Sequence, residues 1–136
     1  MDTTKKEQAL EILSKNKVGV MATVAGDRPD SRYMTFVNEN FTLYTATPKD
    51  SDLLKELQAN PRTHILYGYE NGDMTDTFLE IEATAAECNA DAIKEKIIAL
   101  YPYHVDGMSM TLLKIDPMRM RFMDKAGDNQ ENVDFR

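Results

Sequence analysis

Val18-Gly19-Val20-Met21-Ala22-Thr23-Val24, then Ala25-Gly26-Asp27-Arg28-Pro29, residues 30–37, Asn38-Glu39-Asn40 and residues 41–45 form the stretch that decides the fold. The first seven residues are apolar on both faces of an extended chain, which predicts a central buried strand. Gly26, Asp27 and Pro29 make the next segment a turn. Residues 30–37 alternate, with Arg32, Met34 and Phe36 on one face and Tyr33, Thr35 and Val37 on the other. Asn38-Glu39-Asn40 turns the chain into a third strand over 41–45. Three consecutive strands without crossovers pair antiparallel, which argues against a doubly wound parallel sheet.

Outward from this hairpin pair the chain alternates helices and strands. A helix is predicted over 4–15, with Thr4 and Glu7 at capping-box spacing and an apolar stripe through Ala9, Leu10, Ile12 and Leu13. A loop over 46–51 enters a second helix over 52–59, whose apolar face is Leu53, Leu54 and Leu57 and whose stop is Asn60-Pro61. Residues 62–70 read as a strand with Ile65, Tyr67 and Tyr69 on one face, and Asn71-Gly72 is a hairpin signal. The return strand, 77–87, carries Leu79, Ile81 and Ala83 inward and Glu80 and Glu82 outward. Asn89 caps a third helix with Ile93, Ile97 and Leu100 on one face, and Pro102 stops it. Two strands follow, 110–116 and 118–124, broken at Asp116-Pro117. Residues 125–136 read as a loose polar tail after a domain of residues 1–124. Short strands with tight hairpins predict a mainly β chain, a small antiparallel barrel with about three helices at its ends or side.

The 136 residues suit one domain with a real core, and 42% hydrophobic residues exclude wholesale disorder. Sixteen Lys and Arg against 23 Asp and Glu leave a net charge of −7, which argues against nucleic acid and anionic membranes as partners. Cys88 is the only cysteine, so no internal disulfide forms. The polar N-terminus and the lack of a long apolar run predict a cytoplasmic protein. Two His and one Cys fit no familiar zinc site, and no metal site is expected.

One constellation points to chemistry. Arg32 lies on a strand whose residues can touch a flat ring. The Thr-rich strand end Tyr44-Thr45-Ala46-Thr47 follows, and Lys49 and Ser51 then open a helix. Helix N-termini attract anions, and an Arg from a neighbouring strand can close on the same group. The constellation predicts a phosphorylated ligand gripped at the second helix, its ring along the Arg32 strand. Each residue also has a plainer reading: Arg32 as a surface charge, Ser51 as an N-cap and Lys49 as a solvated loop charge. Tyr67 and Tyr69 suit core or dimer packing, Met118, Met120 and Phe122 suit the core, and Arg119 and Arg121 suit the outer face. His64 and His104 lack acid–base partners in the sequence, and Cys88 reads as inert packing.

Ser31-Arg32-Tyr33-Met34-Thr35-Phe36, Leu43 through Ser51, and Leu57-Gln58-Ala59-Asn60-Pro61-Arg62 resemble the flavin-binding split barrels related to pyridoxamine 5′-phosphate oxidase, and among them the general stress protein 26 type. The resemblance implies a six-stranded antiparallel split barrel and a homodimer with two flavins at its interface, FMN or FAD. It implies that Arg32 reaches the flavin phosphate and that Tyr33, Met34 and Thr35 border the ring. It further implies that Ala46 and Thr47 lie beside the ring, that Ser51 opens the phosphate-binding helix, and that Thr77 reaches the ring from the other subunit.

The chain also departs from the family. A basic pair usually follows the Ser, and here the positions hold Asp52 and Leu53. The absence of Trp and of a C-terminal Arg-x-His clamp argues against oxidation of pyridoxamine phosphate itself. Three functions compete: a flavin-dependent oxidoreductase fed by NAD(P)H or another donor, a non-catalytic carrier or sensor of a flavin or other flat ligand, and a cofactor-free dimeric interaction module.

Overall fold

The structure, a computed structural model, describes residues 3–68, 77–124 and 129–135. Tyr69 and the Asn71-Gly72 turn lie outside the described residues. The elements are α1 (Thr3–Lys15), β1 (Val18–Ala25), β2 (Arg28–Thr35), β3 (Val37–Glu39), β4 (Thr42–Pro48), α2 (Asp52–Ala59), β5 (Arg62–Tyr67), β6 (Thr77–Cys88), α3 (Asp91–Ile98), a 3-10 turn (Gly107–Ser109), β7 (Met110–Asp124) and β8 (Asn129–Asp134). Their strands form one antiparallel sheet in the order β2-β1-β5-β6-β7-β4-β3, with β8 added beside β7. The two strands at the ends of that order, β2 and β3, are consecutive in sequence. Only Phe36 separates them, and its N–H donates to Lys17 O at 2.6 Å. The sheet must therefore curl until its ends meet, which yields an antiparallel half-barrel, in keeping with the mainly β split barrel expected. Six long strands build it, β3 prolongs β2, and β8 is an addition.

Alternation fills the inside of the curl. Met21, Phe36, Ile65, Tyr67, Leu79, Ile81, Met120 and Phe122 point inward and are buried, joined by Ala9 and Leu13 of α1 and Leu53, Leu54 and Leu57 of α2. Burial of this apolar surface is the main favourable term in folding. A second, smaller core lies on the other side of β4 and β7, where Ile93 and Ile97 of α3 pack on Tyr44, Ala46, Met110 and Leu112.

Three expectations change. The break at Asp116-Pro117 is a bulge: Glu82 pairs with Arg119 but Ala83 pairs with Pro117, so Met118 is the extra residue and β7 runs unbroken. A bulge tolerates a proline that offers no ladder N–H. The loose tail is corrected for residues 129–134, which pair with β7 and bury Val133 completely in the main core. Finally, β1 is central in the sheet but covered on one face only. Its outward Val18 is 42% exposed, beside Tyr33 at 78% and Leu66 at 39%.

Candidate functional site

The structure divides the predicted residues between two places. On β2, Arg32 lies opposite the buried Met21 and faces the core side, whereas Tyr33 lies opposite Val20 and faces outward. β2 and β4 are not neighbours in the sheet. They meet across its closure, where the buried Thr45 hydroxyl donates to Thr35 O at 2.7 Å. The outward side of that junction is roofed by the chain leaving α3. Tyr101 and Tyr103 stack there with ring centroids 5.6 Å apart and planes 12° from parallel.

The result is a cavity of about 490 Å³ lined by Tyr33, Met34, Thr35, Ala46, Thr47, Pro48, Tyr101, Pro102, Tyr103, Val105 and Met110. Five of these residues are the ones expected at a flavin ring. The lining carries no charged side chain among the described residues. Burial, and then the neighbouring Tyr103, push the Tyr101 phenol above its ordinary range, so it stays neutral at physiological pH. An apolar, aromatic cavity with a few hydroxyls suits a flat conjugated ligand.

Ser51 stands one hydrogen bond from the cavity. Its Oγ accepts from Thr47 Oγ1 at 2.8 Å and from Leu54 N–H at 3.2 Å, so the N-cap of α2 is tied to the cavity wall. Arg32 is held elsewhere. One guanidinium nitrogen donates to Thr23 Oγ1 at 2.8 Å and to Met21 O at 3.3 Å; the other lies 3.2 Å from both Glu56 Oε1 and Asp30 Oδ2. Glu56 also accepts from the Thr23 hydroxyl at 2.6 Å. Lys49 is exposed, its backbone N–H bonded to Ser109 O at 3.0 Å, and its side lines a separate small hollow with Cys88 and Lys94. Thr77 opens β6 opposite Asp124 and is not among the cavity residues of its own chain.

For the flavin that the resemblance implies, the ring end fits this cavity. The phosphate end differs from what the resemblance implies, because Arg32 is bonded to the Glu56 and Asp30 carboxylates; Ser51 caps α2, a role compatible with an anion at the same helix end. Reasoning from the sequence missed Tyr101, Tyr103 and Glu56. The Tyr101-Pro102-Tyr103 run was the available signal for the first two, since aromatic residues on a proline-stiffened loop are costly to leave in water. Nothing local marks Glu56, which meets Arg32 across 24 residues of sequence.

A second charged group lies on the outer face of β5, β6 and β7. Glu80 accepts from Arg121 Nε at 2.9 Å and sits 3.0 Å from His64 Nε2, while Arg119 lies 3.2 Å from Asp134. This places Arg119 and Arg121 on the outer face, as expected. Burial pushes the Thiol of Cys88 up, which agrees with an unreactive cysteine.

The profile of the pyridoxamine 5′-phosphate oxidase family matches residues 6–124. General stress protein 26 of Bacillus subtilis (strain 168) is 35% identical over 127 residues, covering 90% of each chain. The crystal structure of General Stress Protein 26 from Bacillus anthracis str. Sterne superposes with a TM-score of 0.82 at 26% identity, covering 98% of this chain and 100% of that one. Matched in sequence over most of its length and in fold over nearly all of it, the chain belongs to the pyridoxamine 5′-phosphate oxidase family, alongside the general stress protein 26 type.

Proposed function

We propose that this protein binds a flavin, FMN or FAD, with the isoalloxazine ring in the cavity between β2, β4 and the Tyr101–Tyr103 loop, and that it works as an oxidoreductase. One observation carries the reading: Tyr33, Met34, Thr35, Ala46 and Thr47, from two separate strands, meet at one uncharged aromatic cavity of about 490 Å³. A bound flavin supplies the electron-transfer chemistry, and the chain supplies shape, orientation and exclusion of water. Tyr101 and Tyr103 offer ring faces, and Thr35 and Thr47 offer polar edges held by fixed backbone.

The homodimer belongs to the same proposal. The outward faces of β1, β2 and β5 present Val18, Tyr33 and Leu66 to solvent, an apolar patch of the kind that protein partners cover. Tyr33 lies both on this patch and in the cavity lining, so a second copy docked there would stand beside the ring. Thr77 is assigned to that partner-side contact. A cytoplasmic setting accords with the single Cys88, and no helix among the described residues is long and apolar enough to cross a membrane.

Titration of the protein with each flavin, followed by visible absorbance, tests the reading. Tyr103→Ala, at an exposed position, should weaken binding several-fold without unfolding the chain. NADH or NADPH added to the loaded protein then separates the oxidoreductase from a carrier: bleaching followed by transfer to an acceptor marks the former, and a stable yellow colour marks the latter.

A further inference from the structure

We propose that Glu56 determines which flavin this site accepts: by holding Arg32 on the core side of β2 it withholds the cation that a terminal phosphate needs, and the site favours a flavin tail without a terminal phosphate. This deepens the flavin reading and rests on it. Three observations carry it.

The first is direction. Arg32 shares the inward row with Met21, and its guanidinium bonds to Thr23, Met21 O, Glu56 and Asp30, none of which lines the cavity. The second is charge. Arg32 contributes +1, and Glu56 and Asp30 contribute −1 each, so the group sums to −1 and repels a phosphate dianion. Asp52, in the first turn of α2, adds a further negative charge where an anion would seek the helix N-terminus.

The third is the cost of rearrangement. The Glu56 side chain is only 12% exposed, and its Oε1 accepts from both Arg32 and Thr23. Swinging Arg32 out to a phosphate would leave that carboxylate oxygen with the Thr23 hydroxyl alone among these two partners, and stranding a largely buried charge is strongly unfavourable. With no charged side chain in the described cavity lining, the ring site itself offers no substitute.

Riboflavin and FMN differ only by the phosphate, so their dissociation constants isolate the effect. Quenching of flavin fluorescence would be titrated with the wild type, Glu56→Gln and Asp30→Asn. The wild type should bind riboflavin at least as tightly as FMN. Glu56→Gln keeps the shape and the acceptor, and should lower the ratio Kd(FMN)/Kd(riboflavin) about tenfold. Asp30→Asn, at a more exposed carboxylate, should move it the same way by less, and it decides the matter if Glu56→Gln does not fold. Tighter binding of FMN than of riboflavin by the wild type, or a ratio that no folded variant moves, would overturn the inference while leaving the flavin reading intact. FAD would be titrated alongside, and failure of all three flavins to bind would remove the flavin reading and the inference with it.

Discussion

Arg32 and Tyr33 are adjacent in the chain and face opposite sides of β2; Tyr33 lines the aromatic cavity, and the bonds of Arg32 to Thr23, Glu56 and Asp30 hold it away. Arg32 therefore has a structural duty whatever the ligand. Arg32→Ala should lower the unfolding free energy by about 2–3 kcal/mol, somewhat less than for a fully buried pair, because Glu56 loses its counter-charge. Chemical denaturation would measure this, and pairing it with Glu56→Gln should recover part of the loss. Gly19 is similarly constrained. A Cβ there would stand 2.8 Å from both Leu66 O and Tyr67 Cδ1, under the edge-to-face pair of Phe36 and Tyr67. Gly19→Ala should cost about 1–3 kcal/mol, read as a lower melting temperature. The inward and outward rows of β2 were legible from the sequence, because alternation is a local property. The partner of Arg32 was not, because it is brought up by a helix that enters later in the chain.

Among the elements, α2 and β8 each test a different part of the account. Ser51 caps α2 and accepts from Thr47, so Ser51→Ala should cost about 1 kcal/mol of stability and also loosen the cavity wall. β8 was unreadable in advance because its sequence is polar and one apolar side chain, Val133, anchors it in the core. Val133→Ala should destabilise by about 2 kcal/mol, whereas a loose tail would show no change. The unbroken β7 was hidden for a different reason, since a proline reads locally as a stop and the bulge that absorbs it is a property of the pairing with β6. On the face of β5, β6 and β7, burial raises the pKa of Glu80, but hydrogen bonds from Arg121 and His64 outweigh it and hold the carboxyl below its usual range. Glu80 therefore stabilises the fold above the ordinary carboxylate pKa, and the contribution is lost as pH falls through its lowered value. Unfolding measured against pH should show a shallower acid decline for Glu80→Gln than for the wild type.

At the scale of the molecule, the uncovered outward face of β1, β2 and β5 joins the fold to the proposed assembly. Leu66→Arg puts a charge on that face and should shift the protein toward monomer in sedimentation equilibrium, with little change in secondary structure. The curled antiparallel sheet was legible from three crossover-free strands, and the family resemblance groups Tyr33, Met34, Thr35, Ala46 and Thr47, which line one cavity. The Tyr101–Tyr103 wall was not, because α3 must first pack on the outer side of β4 before its trailing loop can reach the cavity. Flavin binding is the claim on which the rest depends, and the most direct measurement is the visible absorption spectrum of the purified protein, repeated after incubation with riboflavin, FMN and FAD. A flavin spectrum that is carried through gel filtration with the protein and weakens in Tyr103→Ala is the predicted result. A colourless protein that retains none of the three would contradict the account.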